Sequence, residues 1–187
     1  MLLELPLSVE TARLHLRPPQ AGDGPALYEA INESLVEMRR FLASLPWVAG
    51  EQSIVASETW ARTAAANFAA RKDFPFLVFE KDGGQLLGAT GLHRVDWSVP
   101  KAEIGYWCRT SRHGQGFVTE AVSAIAGYAL QHFRAARLEI VTDEANEPSR
   151  RVAERSGFVL EGTLRHQRRA PDGRLCNTCL YARLPGN

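Results

Sequence analysis

The feature that most constrains the fold is a strand that leads through a glycine-containing loop into an amphipathic helix. The strand is predicted over residues 102–109 and the helix from about Phe117 to Phe133, with His113-Gly114-Gln115-Gly116 between them. Glycines just before a helix let a ligand approach the backbone closely, and the unpaired amides of the first turn attract anions. The segment therefore predicts a phosphate or pyrophosphate site, although glycines also precede helices for purely conformational reasons.

Two common phosphate-binding loops do not fit this segment. A Walker loop requires a lysine directly after its last glycine, and Phe117 stands there. A dinucleotide fingerprint requires a third glycine within an early βαβ unit, and position 119 is Thr. A different family of phosphate-binding folds has to be considered.

The order of predicted elements gives the fold class. A strand is followed by helices, three strands, a helix, a strand, a helix and two strands, with the first helices predicted as two segments, 26–32 and 33–45. No linker or repeat interrupts residues 1–187, so the sequence predicts a single α/β domain with a mixed sheet. The last two strands are predicted to form a hairpin around Pro171-Asp172-Gly173.

Composition excludes several classes of function. The 22 Lys and Arg against 21 Asp and Glu argue against a nucleic-acid partner, which usually requires a strongly basic domain. The longest apolar stretch, 121–130, is about half of a membrane-spanning helix, so no membrane partner is expected. Three cysteines make no disulfide framework and favour a cytoplasmic protein. Cys176 and Cys179 lie three apart on a predicted strand and point to opposite faces, so no metal site is predicted.

Six ordered motifs carry a resemblance to a known family. They are Glu10-Thr11-Ala12-Arg13-Leu14-His15-Leu16-Arg17, Ala102-Glu103-Ile104-Gly105-Tyr106-Trp107, Gly114-Gln115-Gly116-Phe117-Val118-Thr119-Glu120-Ala121, Asn146-Glu147-Pro148-Ser149, Ser156-Gly157-Phe158 and Leu160-Glu161-Gly162. Across nearly the whole chain, their order and spacing resemble the GNAT acetyltransferase superfamily. The chain is most similar to the branch of bacterial ribosomal-protein serine and alanine N-acetyltransferases.

The resemblance implies the GNAT fold, acetyl-CoA as co-substrate and no metal. Its sheet would be mixed, mostly antiparallel and seven-stranded, with helices on both sides and a splay between the fourth and fifth strands. A bulge near Gly105 would open the splay for the thioester, and a backbone amide beside it would bind the carbonyl oxygen. The implied acetyl-CoA contacts are Trp107, Cys108, Arg109, His113, Gly114, Gln115, Gly116, Phe117, Val118, Thr119 and Asn146.

The pyrophosphate motif departs from the family pattern at two positions. The pattern R/Q-x-x-G-x-G/A falls on residues 113–118, where His113 replaces Arg or Gln and Val118 replaces Gly or Ala. Backbone amides can still bind the anion. The departures change the side-chain contact available at the first position and the space left for the cofactor at the last.

Three residues are candidates for the base that deprotonates the acceptor amine. Glu103 is the first candidate, because it occupies the place of the catalytic glutamate in the histone-acetylating relatives. A salt-bridged strand glutamate is an equally good interpretation of Glu103. Glu161 is the second candidate, with a structural hydrogen-bonding role as its alternative, and His93 is the third.

The proton for the leaving thiolate is assigned to Ser149. Many relatives use a tyrosine seven residues after the asparagine, but Ala153 stands at that position here. The ribosomal-protein branch is thought to use a serine three residues after it, which is Ser149. A serine that satisfies backbone groups at a helix start is the alternative interpretation.

The acceptor is expected to be an α-amine. At pH 7 about 10% of an α-amine is neutral, against about 0.04% of a lysine side chain. The resemblance therefore implies acetylation of a protein or peptide N-terminus by direct attack in a ternary complex. A small-molecule amine acetyltransferase (aminoglycoside, polyamine or amino acid) and a non-catalytic acyl-CoA-binding protein are the alternatives. The resemblance also implies a tendency to form a homodimer.

Overall fold

A computed structural model describes residues 4–170 and 172–186, so Pro171 of the predicted hairpin turn lies outside the described residues. The described chain forms an eight-stranded sheet with the order β1-β2-β3-β4-β5-β6-β8-β7. The strands are β1 (Val9–Glu10), β2 (Leu14–Arg17), β3 (Phe74–Glu80), β4 (Leu86–Asp96), β5 (Lys101–Cys108), β6 (Arg137–Asp143), β7 (Val159–Arg169) and β8 (Leu175–Arg183). The helices are α1 (Gly24–Leu42), α2 (Pro46–Ala49), α3 (Ile54–Ala69), α4 (Phe117–Tyr128) and α5 (Glu147–Arg155).

The sheet is mixed and mostly antiparallel, as predicted, and only β5 and β6 pair in parallel. The predicted number of seven strands is wrong by one. The additional strand is Val9–Glu10, and two residues are too few for an alternating pattern to reveal in a sequence.

The first helical region is one helix rather than the two predicted segments. Helix α1 runs without a break from Gly24 to Leu42, with Pro25 in its first turn. Neither Asn32 nor Glu33 breaks a helix, and the buried residues continue at helical spacing from Leu27 to Met38. The single apolar stripe packs α1 into the core that it shares with α2, α3 and the sheet.

The two faces of the sheet bury separate cores. We call them the α4 face and the α1 face, after the helices that cover them. The α4 face packs Phe74, Leu92 and Ile104 against Val122 and Ile125 of α4. The α1 face packs residues of α1, α2 and α3 against side chains such as Leu77 and Ala89, and half-buried Trp107 lies against this second core. Because strand residues alternate, Glu103, Gly105 and Trp107 belong to the α1 face, and Ile104, Tyr106 and Cys108 to the α4 face.

The sheet splays between β5 and β6. These strands pair only over residues 101–103 and 137–139, so beyond Glu103 no described strand pairs with that edge of β5. The splay is at the predicted place, but the predicted bulge at Gly105 is wrong. Pairing of β5 with β4 is regular from Cys108 to Glu103, and the register shift falls between His93 and Asp96. The opening therefore arises because β5 and β6 diverge.

No helix in the described ranges is long and apolar enough to cross a membrane.

Candidate active site

Glycine conformations hold the loop before α4 open. Gly114 and Gly116 have φ of +74° and +80°, in the left-handed region that glycine adopts without strain. Gly116 is the N-cap residue of α4, and it has no side chain that could accept a hydrogen bond from the first amides of the helix. The first amides of α4 therefore have no intrahelical acceptor, and a Cβ at Gly114 would meet nothing within 4 Å. This amide-lined surface fits an oxyanion such as a phosphate.

Arg13, which sequence reasoning assigned no role, braces the same loop. Its guanidinium donates to the Gln115 carbonyl at 3.0 Å and to the Glu120 carboxylate at 2.6 Å, and it lies 4.3 Å from the centroid of the Phe117 ring. Burial of the Glu120 carboxyl is outweighed by the hydrogen bonds from Thr11 and Arg13, and its pKa is lowered. The start of β2 is thus fastened to the first turn of α4. The only sequence signal for this role was the position of Arg13 within a family motif.

The two departures from the family motif lie on the wall of the loop. His113 Nε2 lies 3.0 Å from the Cys108 carbonyl oxygen, so this side chain turns to the end of β5. Val118 lines a small cavity between α4 and the ends of β4 and β5, together with Gly88, Cys108 and Phe117. Thr119 contributes its carbonyl oxygen to Ser156 Oγ at 3.4 Å. Val118 is therefore accommodated as part of an apolar wall.

At the end of β5, some main-chain amides face the open edge of the strand, whereas the Arg109 side chain packs against α1. The Arg109 amide donates to the Leu87 carbonyl at 2.6 Å, so by strand alternation the Tyr106 and Cys108 amides point to the edge facing β6. Buried Arg109 binds Glu29 and Glu33 of α1 at 2.8 and 3.2 Å, so its guanidinium is held by that helix.

Trp107 and Cys108 contribute to the site in different ways. The Trp107 ring packs against Trp47 of α2, with 6.3 Å between centroids. Burial raises the pKa of the Cys108 thiol to about 11, which keeps it protonated at neutral pH. The usable groups at this end of β5 are therefore main-chain groups rather than side chains.

Ser149 is held at the start of α5 by hydrogen bonds to two residues, Asn146 and Tyr106. Its amide donates to Asn146 Oδ1 at 3.2 Å, so Asn146 caps the helix. Its Oγ lies 2.9 Å from the Tyr106 hydroxyl, which also donates to the Ser149 carbonyl at 2.9 Å. Burial raises the pKa of Tyr106 to about 12, and the hydrogen bond to Ser149 offsets this only in part. Two protonated hydroxyls thus lie side by side, and sequence reasoning missed the second.

The α1 face carries charged groups at the mouth of the splay. Arg94 binds Glu103 Oε1 at 2.5 Å, and the Glu103 side chain is 20% exposed. Glu103 is in register with Glu139 of β6, so both carboxylates lie on this face. His93, the register partner of Glu103 on β4, binds Asp73 through Nδ1 at 2.7 Å. The structure thus brings Glu103 and His93 together.

Glu161 lies in a separate arrangement. Its two oxygens accept from Arg137 at 2.8 and 2.6 Å, and this pairing lowers the pKa of Glu161. Arg137 also donates to Glu139 at 2.6 Å. A carboxylate stabilised in this way is a weak base, so the geometry favours a structural role for Glu161. No cluster of three potential metal ligands occurs within residues 4–170 and 172–186.

Comparison with known proteins identifies related chains. The pattern of the acetyltransferase (GNAT) domain family matches residues 13–159. The ribosomal-protein-serine acetyltransferase of Escherichia coli (strain K12) is 34% identical over 109 residues, which are 58% of this chain and 59% of that protein. The chain thus spans less than two thirds of that relative. The uncharacterized N-acetyltransferase YoaA of Bacillus subtilis (strain 168) is 27% identical over 157 residues, 84% of this chain and 85% of that one.

A solved structure confirms the predicted fold class. RimL, a ribosomal L7/L12 alpha-N-protein acetyltransferase in complex with coenzyme A, superposes with a TM-score of 0.84 and 20% identity. The match covers 96% of this chain and 97% of that chain. At this identity the similarity establishes the fold alone.

Proposed function

Because the chain belongs to the GNAT acetyltransferase family, we propose that it transfers an acetyl group from acetyl-CoA to a primary amine. The observation that carries the proposal is the divergence of β5 from β6 beyond Glu103, next to the open amides before α4. The gap gives access from both faces of the sheet to the same unpaired edge of β5. An acyl donor anchored on the α4 face can therefore meet an amine that arrives from the α1 face.

The donor side of the site would be built from main-chain groups. The amides that follow Gly114 and Gly116 would hold the pyrophosphate, and acetyl-CoA would supply an acetyl group activated as a thioester. The Tyr106 and Cys108 amides, which face the gap, would direct the pantetheine arm and the carbonyl oxygen. The Cys108 carbonyl points to the same edge of β5 as the Cys108 amide, and the His113 ring lies against it. His113 would therefore contribute to acetyl-CoA binding only after this contact breaks.

Ser149 is the proposed donor of a proton to the leaving thiolate. Its hydroxyl is on the α4 face beside Tyr106, within the first turn of α5. The Tyr106 hydroxyl, which donates to the Ser149 carbonyl in this structure, would turn to donate to Ser149 Oγ as the serine gives its proton to the sulfur. Asn146 would fix the position of Ser149 rather than contact the reacting atoms.

We assign the acceptor to the class of protein or peptide N-termini. A polycationic acceptor such as a polyamine or aminoglycoside calls for unpaired negative charge, but carboxylates around the gap are paired with arginines. These pairs are Glu103 with Arg94, Glu139 and Glu161 with Arg137, and Asp143 with Arg168. The α-amine is also the protein amine with the larger neutral fraction at pH 7. The names of the E. coli relative and of RimL support the same acceptor class.

A thiol-release assay tests this function. The protein is incubated with acetyl-CoA and either Ser- and Ala-starting peptides, the same peptides with blocked N-termini, a polyamine or an aminoglycoside. We expect release of free thiol with the unblocked peptides only, and mass spectrometry should locate the acetyl group on the first residue. Turnover with the small amines alone would assign a small-molecule acetyltransferase. Tight binding of CoA without turnover of any amine would assign a non-catalytic acyl-CoA-binding protein.

A further inference from the structure

An aspartate–histidine pair lies on the α1 face beside the gap, outside the residues that the family motifs assign. Asp73 immediately precedes β3, and His93 is on the adjacent strand β4. Their side chains are 36% and 34% exposed, and Oδ1 of the aspartate lies 2.7 Å from Nδ1 of the imidazole. The pair is therefore accessible from solvent and held in one orientation.

The orientation directs the other ring nitrogen over β5. A Cβ at Gly105 would lie 3.1 Å from Cδ2 and 3.3 Å from Nε2 of His93, and a Cβ at Gly91 would lie 3.2 Å from Nε2. The ring thus occupies space that these two glycines leave free. Gly105 is two residues beyond Glu103, the last residue of β5 that pairs with β6. Nε2 therefore lies at the level where the gap opens.

The hydrogen bond to Asp73 also sets the proton arrangement of the ring. A carboxylate at Nδ1 favours the tautomer that carries its proton there, which leaves a lone pair on Nε2. The aspartate then stabilises the imidazolium that forms when Nε2 takes up a proton. An imidazole arranged in this way can accept a proton from a bound amine.

The neighbouring carboxylates are less suited to this step. Arg94 binds Glu103, and Arg137 binds both oxygens of Glu161 and lowers the pKa of that carboxyl. Arg137 thus stabilises the Glu161 anion and weakens it as a base, while Arg94 occupies Oε1 of Glu103. The charged groups that face His93 are Asp73 beside β3, Arg94 of its own strand, and Glu103 with Lys101 of β5; Glu139 of β6 lies beyond Glu103.

We propose that His93, positioned by Asp73, accepts the proton that the neutral acceptor amine loses as it attacks the thioester. This assignment rests on the proposed acetyltransferase function. The amine nitrogen forms a bond to the acetyl carbon as the carbon–sulfur bond breaks. The nitrogen loses one proton to Nε2 of His93, and the thiolate gains one from Ser149, which recovers its proton from solvent. His93 returns its own proton to solvent before the next turnover.

The experiment compares two carboxylate-paired histidines in the full chain. His93→Gln is the test variant, and His15→Gln is the control, because His15 also pairs through Nδ1 with a carboxylate, that of Glu10. With a Ser-starting peptide we expect His93→Gln to lower kcat roughly a hundredfold or more. The KM for acetyl-CoA should stay within twofold of the wild-type value. The acid limb of the kcat/KM profile should disappear in His93→Gln and persist in His15→Gln.

Further variants separate catalysis from folding. His93→Ala should regain part of the lost activity with added imidazole, which a purely structural role would not produce. Asp73→Asn should lower kcat because the ring loses the carboxylate that orients it. Gly105→Ala should lower kcat because its methyl group displaces the ring. An active wild-type protein whose His93→Gln variant keeps its kcat and acid limb overturns the assignment alone. A wild-type protein that turns over no amine overturns the proposed function as well.

Discussion

Strand β5 presents two different chemistries on its two faces. On the α4 face, the groups beside the gap are uncharged: main-chain amides, the half-buried thiol of Cys108 and the paired hydroxyls of Tyr106 and Ser149. On the α1 face, the groups are ionic or titratable pairs, such as Glu103 with Arg94 and His93 with Asp73. One strand thus separates a dipolar region from an ionic one.

The difference follows from what each face is proposed to bind. A pyrophosphate carries its own charge, and oriented amides can solvate it without a counter-ion that would have to be desolvated. An amine must lose a proton before it reacts, so its face requires titratable groups whose charge is controlled by neighbours. The contrast predicts that backbone changes weaken donor binding, whereas side-chain changes on the α1 face affect the chemistry of the acceptor.

The largest expected effect is on acetyl-CoA binding, when the loop of residues 113–116 before α4 is blocked by side chains at Gly114 and Gly116. A Gly114→Val, Gly116→Val double variant places branched side chains at two left-handed positions and covers the amides before α4. We expect the affinity for acetyl-CoA to fall at least about a hundredfold, since several oriented amides are lost together. Isothermal titration calorimetry with acetyl-CoA measures the change.

Gly127→Ala is the matched control for the Gly loop. This glycine lies within α4, where a Cβ would meet nothing within 4 Å. We expect unchanged affinity and slightly higher stability, because alanine favours a helix by up to about 1 kcal/mol over glycine. Unchanged affinity in the double variant would contradict the main-chain site on the α4 face.

A smaller effect is expected at the paired hydroxyls. Ser149→Ala should lower kcat roughly tenfold, less than is typical of general acids, because a thiolate is a good leaving group. Tyr106→Phe should lower kcat only a few-fold, since Ser149 remains. Stopped-flow detection of thiol release gives both rates.

Tyr128→Phe controls for the loss of a buried hydroxyl. Tyr128 also donates to a backbone carbonyl, that of Pro6, and burial likewise raises its pKa to about 12. It lies in the core of the α4 face, away from the gap, so its replacement should leave kcat unchanged. Equal losses of kcat in the Tyr106 and Tyr128 variants would remove the hydroxyl pair from the mechanism.

The sequence predicted the α4 face better than the α1 face. Glycines at Gly114 and Gly116 signal a backbone conformation, and a helix follows them directly, so a local pattern is sufficient. The predicted position of the splay was confirmed, whereas the bulge at Gly105 was not, because one glycine in a strand does not distinguish a bulge from a clearance for His93.

The pairs of the α1 face could not be predicted from local patterns. Asp73 and His93 are twenty residues apart, and Arg137 and Glu161 twenty-four. Their contacts depend on the register of neighbouring strands, which no short motif encodes. The same holds for the hydroxyls of Tyr106 and Ser149, whose elements meet only after folding. The sequence therefore named Glu103, Ser149 and Glu161 as candidates without their partners.

The smallest expected effect on kcat comes from replacing Glu161. This variant tests whether a carboxylate of the α1 face acts in the reaction or only stabilises the fold. Glu161→Gln should leave kcat within about twofold of wild type, because Arg137 makes this carboxylate a weak base. Its effect should be on stability instead. Since the pKa of Glu161 is lowered in the folded state, its contribution is present above the ordinary carboxyl range and is lost as pH falls through the lowered value. The melting temperatures of wild type and variant should differ slightly at neutral pH and converge in acid, as scanning calorimetry across pH can measure.

Glu147→Gln, which breaks an exposed pair with Arg151, is the control and should shift the melting temperature less. A tenfold loss of kcat in Glu161→Gln with unchanged stability would instead place this carboxylate at the amine and remove the distinction between the two kinds of charge.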